Sequence, residues 1–216
     1  MFGLIVLIAA CSSDSNKLAI IGPKELVIEK DEDGKPVEKT IYHHIPEFQF
    51  TDQNNKSFTH KNVEGKIYVA DFFFTTCPTI CKDMSGHLVE LQKTLRKMDD
   101  LYIVSHTVSP EIDTPEVLKE YADAIGANTN NWSFVTGDKE AIYDIAFSGY
   151  YVNASVDSLA PGGFLHSEYF VLIDKEGRIR SGHNEQGSPR AVYDGTNPEH
   201  VRQLINDIKT LEKEYH

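Results

Sequence analysis

Basic side chains are scarce in this sequence: 21 Lys and Arg stand against 33 Asp and Glu, a formal net charge of -12 at pH 7. A chain so short of cations has nothing to replace the counterions that phosphates hold, which excludes a nucleic-acid backbone as partner. The acidic surface reads as solvated, and it is compatible with a cationic partner or a metal ion. Internal repeats and low-complexity tracts are also lacking, so 216 residues with one substantial core are expected to fold as one unit.

A long hydrophobic run is the next absence. The nearest candidate, "GLIVLIAAC", is too short for a stable bilayer-spanning helix and ends in small residues and then Cys11. That is the form of a lipoprotein signal, with Ile8, Ala9 and Ala10 as recognition residues and Cys11 as the future lipid-bearing N-terminus. Positive charge ahead of the run is missing too, since Met1, Phe2 and Gly3 offer only the α-amine; a start placed too far downstream accounts for this. The competing reading, a buried first strand, sits poorly with the abrupt turn to "SSDSNK". Residues 1–11 are therefore expected to be a signal, 12–18 a polar tether and 19–216 the folded domain, anchored to a bacterial membrane and facing the periplasm.

Cysteine is scarce as well, at three residues. With Cys11 acylated, Cys77 and Cys81 are the only thiols left in an oxidising compartment. A disulfide between them would staple little, because closing so short a loop removes little unfolded-state entropy.

What is present gives the architecture. Strand-like runs around Asp33 and Gly34 predict an N-terminal β-hairpin, and "FQFTDQNNKSFTH" two further short strands. "KIYVADFFF" reads as a strand buried on both faces. Met84, Leu88, Leu91 and Leu95 fall at helical spacing after it. "LYIVSHTVSP" is a second buried strand, and "TPEVLKEYADAIG" a helix with Thr114 as N-cap, Pro115 at its first position and Gly126 closing it. "WSFVTG" is a short strand or turn, "DKEAIYDIAFSGY" a helix, and "SEYFVLIDKEGRIRSGHN" a hairpin turning at Lys175 to Gly177. A C-terminal amphipathic helix follows. Alternation of strands and helices implies βαβ units, and the late hairpin adds an antiparallel portion. The expectation is an α/β, thioredoxin-like three-layer fold with a mixed central sheet and an N-terminal hairpin extension.

If a helix begins near Pro78, Cys77 lies at its N-terminal end, where unpaired N–H groups favour thiolate, and Cys81 lies one turn along the same face. Such a pair reads as a redox motif, or as part of a soft metal site that wants a third ligand. His166, on the Gly-rich loop in "PGGFLHSEYFVLID", is either that ligand or a loop histidine satisfied by backbone. His106, at a strand end, could lie nearby. His87 should face away from the sulfurs, and His43, His44, His60, His183, His200 and His216 read as surface or turn residues. Asp71 and Asp113 could be acid–base groups, although Asp113 fits better as part of the turn before the next helix.

The blocks "VADFFFTTCPTICKDM", "VSPEIDTPEVLKEYA", "WSFVTGDKEAIYDIA" and "GGFLHSEYFVLIDKEGRIR" resemble, in order, the Sco/SenC family of thioredoxin-fold copper chaperones for cytochrome c oxidase assembly. The resemblance runs from about Ile45 to Lys213. It implies that Cys77, Cys81 and His166 ligate one copper ion per chain, as Cu(I) or Cu(II), and that Cys77 and Cys81 form the redox-active pair. It implies as partners oxidase subunit II, with its binuclear copper centre, or another copper protein, and a thiol reductant. The implied role is a carrier rather than an enzyme, with thiol–disulfide reduction as a further capacity. Two departures stand out: Lys82 occupies a position where many members carry Pro, and Leu165 one where many carry Asp, which removes a carboxylate that would orient His166. Members are often held by a transmembrane helix, whereas this chain reads as lipid-anchored.

Two other readings compete. A metal-independent extracytoplasmic thiol–disulfide oxidoreductase needs the cysteines but not His166 in ligand geometry. A peroxiredoxin wants Thr three residues ahead of its reactive cysteine, and Phe74 stands there.

Overall fold

The computed structural model describes residues 17–78, 80–156 and 164–216, with the side chains of 154–156 and 164–166 excepted. The expected signal and most of the tether lie outside the described residues. From β1 (Ala19–Ile21) the chain makes the expected hairpin of β2 (Lys24–Lys30) and β3 (Pro36–Tyr42), which pair only with each other. Gly34 takes the left-handed φ of +79° that its tight turn requires.

The remaining elements follow as β4 (Gln49–Asp52), β5 (Ser57–Thr59), β6 (Ile67–Phe73), α1 (Cys81–Thr94), β7 (Leu101–Thr107), α2 (Pro115–Ile125), β8 (Trp132–Thr136) and α3 (Lys139–Asp144). A π-helical turn (Ile145–Gly149) extends α3, and then come β9 (Ala154–Val156), β10 (Phe164–His166), β11 (Tyr169–Ile173), β12 (Ile179–Ser181), β13 (Tyr193–Asp194) and α4 (Pro198–Glu214). The main sheet runs β1-β12-β11-β6-β7-β8-β4-β5, with β13 also on β11. Pairing is parallel for β6 with β7 and β7 with β8, and antiparallel elsewhere. The mixed sheet of the thioredoxin-like fold is thus present, with β6 at its centre.

Every residue of β6 is buried, as its unbroken apolar run requires. Its alternate side chains feed two cores. Ile67, Val69 and Phe73 pack towards α1, α2 and α4, while Tyr68, Ala70 and Phe72 pack towards α3, its π-helical extension and the β4–β5 segment. The helices end where their local chemistry dictates. Thr114 Oγ1 accepts from Val117 N–H at the start of α2, and Gly126 closes it at φ +74°. Asp138 caps α3 and Asn197 caps α4 in the same way. No helix among the described residues is long and apolar enough to cross a membrane.

Candidate functional site

Beyond Phe73 the chain makes a turn that delivers the first thiol. Cys77 N–H donates to the Phe74 carbonyl at 3.2 Å, which leaves Thr75 and Thr76 as the turn's central residues. Helix α1 starts only at Cys81, so the expectation of a helix from about Pro78, with Cys77 at its N-terminal end, is corrected. Pro78 suits a helix start, but the Phe74–Cys77 turn comes first, and Ile80, at φ -80° and ψ -23°, precedes the helix without a side-chain cap.

The two thiols meet nevertheless. Neither is in a disulfide, and they hydrogen-bond to each other. Cys81 is 2% exposed, whereas Cys77 is half-buried. Burial pushes the Cys81 thiol far above its ordinary range, the bond to Cys77 adds to this, and a backbone hydrogen bond from Phe74 opposes it. Two sulfurs in contact at a loop–helix junction can close a disulfide or offer two soft donors to one ion.

Polar groups lie beneath them within the α1-side layer. Asp71 and Ser105 are register partners on β6 and β7, and Ser105 Oγ donates to Asp71 Oδ1 at 2.5 Å while accepting from Trp132 Nε1 at 2.9 Å. Burial raises the Asp71 carboxyl to about 7, with the Ser105 bond working against it. Tyr121 reaches in from α2, its hydroxyl 2.7 Å from Ser85 Oγ and its ring 5.3 Å from that of Phe73. Burial pushes its phenol up to about 12.

Asp113 is fully buried and does more than start a helix. Its carboxylate accepts from Thr75 N–H at 3.1 Å, from Thr75 Oγ1–H at 2.5 Å and from Thr107 Oγ1–H at 2.5 Å. It therefore ties the cysteine turn to the end of β7. A single acid inside the apolar run "VADFFF" was a legible sign of the Asp71 network, but nothing local in the sequence marks the grip of Asp113 on Thr75.

The histidines sort by sheet face. His106 is not near the sulfurs. It shares its register position with Phe72, opposite to the face of Asp71 and Ser105, and stacks on Phe72 at 4.9 Å with Phe48 and Phe50 edge-on. The earlier strands that cover β7 there are remote in sequence, which is why a strand-end position looked open. His87 Nδ1 lies 2.7 Å from the Gly195 carbonyl. His44, His183 and His216 are exposed as expected; His43, His60 and His200 are half-buried, and His43 Nε2 sits 2.8 Å from the Gly149 carbonyl. His166 ends β10, opposite Ala154, in a hairpin with β9 that the sequence reading took for loop; its side chain lies outside the described residues. Among the described residues no three His, Cys, Asp or Glu side chains gather as a metal site.

The SCO1/SenC family profile matches residues 37–198. A SCO1/SenC family lipoprotein from Bacillus anthracis is 31% identical with a TM-score of 0.68, covering 79% of this chain and 95% of its own. BsSco, described as a member of the Sco family of cytochrome c oxidase assembly proteins with a disulfide switch, is 28% identical with a TM-score of 0.66, covering 79% and 94%. Yeast Sco1 with copper bound is 26% identical with a TM-score of 0.58, covering 77% and 89%. With three quarters of its length matched by one family profile, and its two contacting cysteines at the end of the central strand, the chain belongs to the SCO1/SenC family.

Proposed function

We propose that the protein carries copper for the assembly of cytochrome c oxidase, with Cys77, Cys81 and His166 as ligands. The observation that carries this reading is the contact between the two thiols, in a family that includes a copper-bound yeast member. The donor set fits the ion: two thiolates and an imidazole suit copper in either oxidation state, whereas structural zinc takes four protein ligands. The cargo is one Cu(I) or Cu(II) per chain and the recipient is the binuclear copper site of subunit II. Anchoring through a lipidated Cys11 to the outer face of a bacterial membrane accompanies this role, in line with the Bacillus anthracis lipoprotein.

Transfer is ligand exchange without net redox change. A partner thiol gives up its proton as its sulfur bonds copper, one cysteine–copper bond breaks, and the released cysteine takes up a proton. Cys77 is the more accessible sulfur, so exchange begins there and the buried Cys81 lets go later.

The same contact favours a second reading, thiol–disulfide reduction. Cys77 thiolate attacks a partner disulfide and expels one partner thiolate, and Cys81 then attacks Cys77 Sγ and expels the other. The partner gains two electrons, the pair loses two, and a thiol reductant must restore it.

Addition of Cu(I) and then Cu(II) to the reduced protein, beside Cys77→Ala, Cys81→Ala and His166→Ala, separates the readings. Stoichiometric binding with sulfur-to-copper charge transfer and a matching electron paramagnetic resonance signal, weakened by each substitution, supports the carrier. Weak copper binding by a dithiol that still reduces a model disulfide shifts the function to the reductase.

A further inference from the structure

We infer that Asp113 is a positioning residue for the thiol pair, acting through Thr75. The inference rests on the reading above in taking Cys77 and Cys81 as the working groups.

Thr75 is the first central residue of the Phe74–Cys77 turn, and both of its donors, N–H and Oγ1–H, end on the one carboxylate of Asp113. The other residue of that turn with a stake in the site is Phe74. Its carbonyl takes the Cys77 N–H, and its backbone also bonds to Cys81. The Cys77 backbone and the Cys81 thiol are therefore both bonded to the turn that Asp113 holds. The carboxylate in turn has a firm base. It accepts the Thr107 hydroxyl at the end of β7, Thr107 Oγ1 accepts Ser109 N–H at 3.0 Å, and Asp113 N–H donates to the Ser109 carbonyl at 2.9 Å. The next residue, Thr114, caps α2.

Oδ2 accepts from Thr75 N–H and from the Thr107 hydroxyl, and Oδ1 accepts from the Thr75 hydroxyl. Asparagine would keep most of this, with its oxygen in the place of Oδ2 and its NH₂ facing Thr75 Oγ1, whose hydroxyl can turn to accept. Asp113→Ala removes every acceptor and loosens the turn two residues before Cys77. The ordinary alternative is that Asp113 merely seals a loop end, in which case its loss lowers stability and leaves the sulfurs as they are.

The test compares wild type, Asp113→Ala and Thr75→Ala with Ile142→Val, a core truncation on the opposite side of the sheet. Two properties are measured: copper binding, as Cu(I) affinity by competition with a Cu(I) chelator together with the position of the Cu(II)–thiolate absorption band, and the dithiol–disulfide equilibrium of the pair against dithiothreitol, which needs no copper. Asp113→Ala is expected to weaken copper binding about 10- to 100-fold and shift the band, as loss of a group behind a metal ligand does. It should also move the equilibrium about tenfold towards dithiol, about 30 mV for a two-electron couple, because a loosened turn no longer holds one thiol at the other. Thr75→Ala should move both in the same direction by less, and Ile142→Val should move neither. Agreement of Asp113→Ala with wild type within about twofold on both measurements overturns the inference. If wild type itself fails to bind copper, the carrier reading fails and the equilibrium alone decides: a tenfold shift supports positioning by Asp113 and no shift overturns it. Should Asp113→Ala not fold, Thr75→Ala is judged on the same two measurements.

Discussion

Ser105 donates its hydroxyl to Asp71 Oδ1 at 2.5 Å across the central parallel strand pair, and this is the one hydrogen bond that the buried carboxyl receives among the described residues. One donor does not compensate for removal from water, so the carboxyl holds its proton up to about pH 7 instead of about 3.8. Native protein thus binds a proton between about pH 4 and pH 7 that the unfolded chain has released. Stability from this group is fully present below about pH 4 and is lost as pH rises through about 7, to a total of about 4 kcal/mol. Asp71→Asn is expected to match wild type near pH 4.5 and to exceed it by about 2–4 kcal/mol at pH 8. Urea denaturation at the two pH values checks this; equal stability at pH 8 would show that Asp71 ionises freely.

His106 works in the opposite direction. Neither ring nitrogen has a hydrogen-bond partner among the described residues, and burial holds the imidazole neutral down to about pH 3. The unfolded chain takes up a proton below about 6.5 that native protein refuses, so stability is complete above 6.5 and falls as pH drops towards 3. Over about pH 4 to 6.5 this slope and that of Asp71 offset one another, which leaves a plateau between an acid limb from His106 and an alkaline limb from Asp71. His106→Phe, which keeps an aromatic ring on Phe72, should differ from wild type by about 1 kcal/mol or less at pH 7.5. At pH 4 it should be more stable by about 3 kcal/mol. Denaturant midpoints across this range would show the wild-type plateau replaced by a rise in stability towards pH 4, and an unchanged plateau would show that His106 does not oppose Asp71.

These two residues also show where sequence reading stops. The strands and helices were legible because β6 is one apolar run and because Thr114, Pro115 and Gly126 write the ends of α2 into adjacent positions. The cysteine pair was legible for the same reason, being local. His106 was misplaced because its cage includes Phe48 and Phe50, more than 50 residues earlier, and only the fold brings that segment over β7. The hold of Asp113 on Thr75 was not legible because the two lie 38 positions apart. Alternation along a strand assigns a face, but what covers that face is a non-local fact.

Lipid attachment at Cys11 makes its own expectation. Cys11→Ser, expressed beside wild type in a bacterium, should move the protein from the membrane fraction to the soluble extracytoplasmic fraction and remove the acyl mass from the N-terminal peptide. The folded domain should be unaffected, with the same thermal midpoint, because β1 begins only at Ala19. A substituted protein that stays with the membrane in the same proportion would place the anchor elsewhere.

The entry of the chain into the domain is held by a buried cation. Arg180, 3% exposed, donates from Nη1 to Asp174 at 3.1 Å and from Nη2 to Glu214 at 2.5 Å and to the Leu18 carbonyl at 2.9 Å. Glu214 completes the loop by accepting the Leu18 N–H at 2.8 Å. The end of α4, the residue before β1 and the middle of β12 are thereby joined. Arg180→Met leaves Glu214 and the Leu18 carbonyl without their cation, and breaking such a buried pair costs about 3–5 kcal/mol. Arg180→Met combined with Glu214→Leu removes both charges and should recover much of that loss. Amide exchange at Ile20 and Ile21 gives the local readout. It should accelerate in the single variant well beyond the change in global stability if Arg180 holds β1 in place, and should follow global stability alone if the network only adds to the core.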